Sequence, residues 1–88
     1  MAIAHPAMQP GAIQVREVVR DGRMVAVLVA TDNGDTFSVV TEVFAQRSNG
    51  EELVQRRAYA FRDVAAGLLF LSEAATAFTY LGCEVRDQ

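Results

Sequence analysis

Hydrophobic and polar residues alternate along the first two-thirds of the chain, and then the period changes. Over 13–20, Ile13, Val15, Glu17 and Val19 fall on one side and Gln14, Arg16, Val18 and Arg20 on the other. A period of two marks a strand with two unlike faces. Asp21-Gly22 follows, a favoured two-residue hairpin turn because both positions tolerate positive φ. The valine-rich stretch 23–31 predicts a second strand. Asn33-Gly34, flanked by Asp32 and Asp35, predicts another tight hairpin turn. A third strand follows over 36–45, then a looser turn at Ser48-Asn49-Gly50, then a fourth strand over 52–60.

From residue 61 onward the apolar residues recur at spacings of three and four. Phe61, Val64, Leu68, Leu71, Ala75 and Phe78 share one face of a helix predicted over 63–81. Asp63 stands at the N-cap, where its carboxylate accepts from free first-turn amides. Gly82 stands where a left-handed residue ends a helix. The predicted fold class is α+β: a four-stranded antiparallel meander sheet with one C-terminal helix packed on one face, in the order ββββα. Residues 1–11 hold both prolines, no charge and no periodicity, and read as a flexible N-terminal tail. Residues 12–88 read as a single domain.

Two-residue turns set register, and register assigns faces. Pairing across Asp21-Gly22 sets Val19 opposite Met24 and Val15 opposite Leu28. Pairing across Asn33-Gly34 sets Ala30 opposite Phe37 and Leu28 opposite Val39. The helix then covers Val15, Leu28, Phe37 and Val39, and Leu28 meets Leu68 with both fully buried. The open face carries Arg16, Arg20, Arg23, Val25, Val27, Val29 and Phe44. Strand four has two readings. A tight turn at Asn49-Gly50 puts Arg57 opposite Glu42 and Tyr59 opposite Val40 on the open face, whereas a one-residue shift sends Tyr59 and Leu53 inward.

The helix has a second apolar set, Ala66, Phe70, Ala74, Ala77 and Leu81. The combined arc spans roughly 200°, against the ~100° that one-sided packing needs. The excess predicts a homodimer through Ala66, Phe70, Ala77 and Leu81, with Phe70 as anchor. Set against this, single exposed apolar residues are ordinary on protein surfaces.

Composition narrows the function. Eighty-eight residues suffice for one domain with a modest core. The net charge of -3 weighs against generic binding to nucleic acid or anionic membranes. All eight basic residues are arginine. The single cysteine, Cys83, excludes an internal disulfide and reads as a small half-buried hydrophobe. The N-terminus lacks a signal-peptide pattern and no apolar run reaches membrane-spanning length, so a cytoplasmic protein is expected. The only histidine, His5, lies in the N-terminal segment, away from any positioned nucleophile. One histidine and one cysteine cannot build a tetrahedral zinc site. Asp32-Asn33-Gly34-Asp35 lacks the alternating ligands and distal glutamate of a calcium loop. No catalytic residue, metal or cofactor is expected, and the protein is read as non-enzymatic.

Binding chemistry is better represented. Arg16, Arg20 and Arg23 surround a valine floor with Phe44 nearby, joined by Arg57 and Tyr59 if strand four takes the outward register. Guanidinium groups and rings on an open sheet hold phosphates and stack bases. They are equally at home in protein interfaces. In strand–helix order, residues 13–81 resemble the ββββα units of PUR repeats and Whirly-type proteins. That resemblance implies a sheet that binds single strands and units that pair. The expectation is a small binding or assembly module acting through the open sheet face, its partner itself or another protein. The alternative is a single-stranded nucleic-acid-binding domain using the same arginines and aromatics, and no membrane association is expected.

Overall fold

The computed structural model describes residues 12–46 and 48–87. The tail expected over 1–11 lies outside them. The elements are β1 (Ala12–Arg20), β2 (Arg23–Asp32), β3 (Phe37–Gln46), β4 (Glu52–Phe61), α1 (Val64–Tyr80) and β5 (Glu84–Asp87). The strands form one antiparallel sheet in the order β4-β3-β2-β1-β5, with α1 across one face. The α+β class and the four-strand meander are as expected, and a short fifth strand extends the sheet.

The first turn has the positive φ angles that favour Asp-Gly: 52° at Asp21 and 78° at Gly22. It sets Val19 opposite Met24 as expected. The next pair is Val18 with Ala26, so β2 holds one extra residue, Val25, at a bulge. From there toward the N-terminus Val15 faces Val29 and Arg16 faces Leu28. A one-residue slip sends every side chain to the other face, so Gln14, Arg16 and Val18 lie on the helix side and Val15 and Glu17 on the open side.

The second turn is longer than two residues. Asp32 pairs with Phe37, and the Asn33 N–H donates to the Thr36 carbonyl at 2.9 Å. Ala30 therefore faces Val39, and Leu28 faces Thr41. This displacement is even, so Leu28, Ala30, Phe37 and Val39 keep the predicted face. In β4 the inward register prevails: Tyr59 faces Val39, Arg57 faces Thr41 and Leu53 faces Ala45.

The core under the helix is Val18, Ala26, Leu28, Ala30, Phe37 and Val39, closed by Leu71. Leu28 is fully buried as expected. Its fully buried counterpart on the helix is Leu71, and Leu68 is only half-buried at the flank. Burying a leucine in this way stabilises by about 1.5–3 kcal/mol.

Both helix ends follow the predicted chemistry. Asp63 Oδ1 accepts the Ala66 N–H at 2.8 Å. At the C-terminus Gly82 has φ 85°, its N–H donates to the Thr79 carbonyl at 3.0 Å, and the Cys83 N–H donates to the Phe78 carbonyl at 3.1 Å. This paired pattern reverses the chain direction after a helix. The reversal delivers β5 antiparallel to the outer edge of β1, where Val85 packs on the core beside Cys83.

Candidate binding surface

The six residues expected to form one binding surface separate into two groups. Arg16 lies on the helix-covered face opposite Leu28, which corrects its placement on the open face. The β2 bulge is the cause. Its Nη1 donates to Asp87 Oδ1 and its Nη2 to Gln14 Oε1 at 3.2 Å. Arg16 thus ties β1 to β5 and is not an available cation. Arg57 and Tyr59 are also on the helix side. The Tyr59 ring lies 4.8 Å from that of Phe70, and Phe61 lies 5.4 Å from the same ring.

Phe70 is therefore occupied by the sheet edge and is not a free dimer anchor. Of the other residues expected at a helix-mediated interface, Ala66, Ala77 and Leu81 are exposed. Leu69 and Tyr80 are exposed as well, and they lie on the outer side of α1.

Arg20, Arg23 and Phe44 do come together at the end of the first hairpin. β1 alternates without interruption from Gln14 to Arg20, so Arg20 shares the side of Val18 and its partner Arg23 goes with it, which corrects the open-face placement of both, whereas Phe44, two residues beyond Glu42, lies on the open side. The three line a shallow depression of about 330 Å³ with Asp21, Val25 and Gln46. An adjoining depression of about 430 Å³ is lined by Arg23, Met24, Phe44, Ala45 and Glu52. The first hairpin turn positions the two arginines, which pair across it, and Val25 at the bulge also packs against the core. Among the described residues, neither Arg20 nor Arg23 takes part in an ion pair.

The open face is not the free apolar floor that the valine run implied. Val27 and Val29 have no exposed surface. One row of cross-strand neighbours runs across all five strands: Arg86, Glu17, Val27, Glu42, Arg56. Opposite charges stand on adjacent strands at both ends of this row, a favourable arrangement. Glu17 and Arg86 enter the face only through the observed register, whereas Arg56 is already placed there by the reading of strand four that sends Tyr59 and Leu53 inward. Arg86 also donates to Glu84 Oε2, and that hydrogen bond, with the carboxylate's charge, raises the Arg86 pKa above its usual value.

Among the described residues, no cluster of three or more His, Cys, Asp or Glu side chains is arranged to hold a metal ion. No helix among them is long and apolar enough to cross a membrane. Cys83 is a half-buried free thiol.

No protein-family model, curated protein or solved structure matches the chain.

Proposed function

We propose that this chain is a small non-enzymatic binding module whose ligand surface is the Arg20–Arg23–Phe44 corner of the sheet, and that its ligand is an acidic, extended segment of a protein partner. The observation that carries this reading is that two arginines, which form no ion pair among the described residues, line one depression together with a half-buried ring. A guanidinium pairs with a carboxylate through two parallel hydrogen bonds. The ring adds apolar area beside the charge, a combination typical of protein interfaces.

The open face beyond the corner favours a protein ligand over a nucleic acid. A phosphate backbone running along the sheet would pass Glu17 and Glu42, which flank Val27. The chain is also net negative. NMR titration of the labelled chain tests the reading, using a short glutamate-rich peptide and a short single-stranded oligonucleotide at two salt concentrations. The peptide is expected to shift the amides of Arg20 to Arg23 and of Phe44, and Arg23→Ala to abolish those shifts. Shifts produced by the oligonucleotide alone, with steep loss at high salt, would instead assign a nucleic-acid ligand. No response to either would reject the corner as a binding surface.

A further inference from the structure

We infer that β4 is a self-complementary edge, pairing antiparallel with β4 of a second copy about a two-fold axis at Val54. The inference goes beyond the binding reading and stands without it. β4 ends the described sheet, pairs only with β3, and every one of its residues except Leu53 and Phe61 is exposed. An edge of this kind presents a row of unpaired backbone donors and acceptors, which natural proteins shield or pair. The strand contains no proline, and no irregularity interrupts its pairing with β3 that would twist it away from a partner.

Hydrogen-bond geometry limits the registers. In an antiparallel pair, directly opposed residues both turn their backbone groups toward the partner or both turn them away. A two-fold axis must therefore pass through a residue and not between two. An axis at Glu52, Arg56 or Arg57 sets that residue against its own copy, charge against like charge. An axis at Tyr59 sets Arg56 against Arg62. Axes at Leu53, Gln55 and Ala58 set each charge against a neutral residue, and one at Ala60 leaves only the last three strand residues paired.

The axis at Val54 differs from all of these. It sets Glu52 opposite Arg56 on the open face and Glu51 opposite Arg57 on the helix face, each pair occurring twice by symmetry. At the centre Val54, 47% exposed in the single chain, meets its own copy. The row of alternating charge across the sheet ends at Arg56, and Glu52 of the second copy continues it. Glu52 also lines the depression beside Arg23 and Phe44. The second copy would thus bring its Arg56 next to that corner.

Sedimentation equilibrium of the full chain, with circular dichroism to verify folding, provides the test. The unaltered chain is expected to be dimeric at high micromolar concentration. Arg56→Glu sets glutamates opposite one another and is expected to weaken the dimer by on the order of tenfold or more. The double change Glu52→Arg with Arg56→Glu restores opposite charges and should restore the dimer. In a Cys83→Ser background, Val54→Cys should cross-link two chains on mild oxidation, because a residue on the axis faces itself, whereas Arg57→Cys should not. A monomeric unaltered chain overturns the inference, as does a folded charge-swapped chain that stays monomeric. A dimer indifferent to the β4 charges but broken by Leu81→Arg also overturns it and places the contact on the helix.

Discussion

Phe37 lies directly against the backbone of Gly67. A Cβ built on Gly67 would stand 2.1 Å from Phe37 Cδ1 and 2.3 Å from Cε1, far inside contact distance. Glycine in a helix interior ordinarily costs about 1 kcal/mol relative to alanine. Here it lets α1 settle onto β3 with the ring wedged beneath it. Gly67→Ala should therefore destabilise the fold, by about 1–3 kcal/mol as overpacked cores generally do, despite the better helix propensity of alanine. Thermal melts should show the loss, and the double variant with Phe37→Leu should recover part of it. A melting temperature above that of the unaltered chain would contradict the contact.

Leu71 closes the core over Leu28, and Leu68 sits at its flank. Leu71→Ala should cost about 2–5 kcal/mol, and Leu68→Ala distinctly less, because the cavity left at an open flank can collapse or admit water. Urea unfolding of the two variants side by side checks the order. Equal losses would mean that the helix is rotated from the described position.

Asp63 accepts the Ala66 amide at the start of α1. Replacing it with alanine should lower stability by about 0.5–2 kcal/mol, while asparagine should retain most of the cap. Hydrogen exchange should quicken first in the opening turn of the helix. Protection unchanged from the unaltered chain would show that another group caps this end.

Arg16 joins β1 to β5 through Asp87. Exposed ion pairs contribute about 0–1 kcal/mol, so Arg16→Ala should scarcely move the melting temperature. It should nevertheless speed amide exchange in 84–87 and leave the response of the Arg20–Arg23–Phe44 corner to a peptide unchanged. A lost peptide response would return Arg16 to the binding surface.

Much of the fold was legible in local chemistry. The Asp21-Gly22 turn, the alternation along β1 to β4, the Asp63 cap and the Gly82 terminator each depend on residues within a few positions of one another, so the sequence alone determined four strands, one helix and their order. The even lengthening of the second loop left the faces of Leu28 and Phe37 intact. Four features depended on contacts between distant segments. The bulge at Val25 carries no mark in a run of valines, yet its single extra residue moved Arg16 from the open face to the helix side and brought Glu17 into its place. Strand β5, with one apolar residue among three charged ones, has too weak a local pattern to announce itself and forms because β1 offers an edge where the chain returns. Local pattern left Tyr59 either outward or inward and made Phe70 look like a free anchor, until the register of β4 placed one ring on the other. The periodicity put Leu68 and Leu71 on the same helix face, and only the close approach of Gly67 to Phe37 decided which of them the sheet would bury. Register and close packing are properties of pairs of segments, which is why the tertiary structure had to decide them.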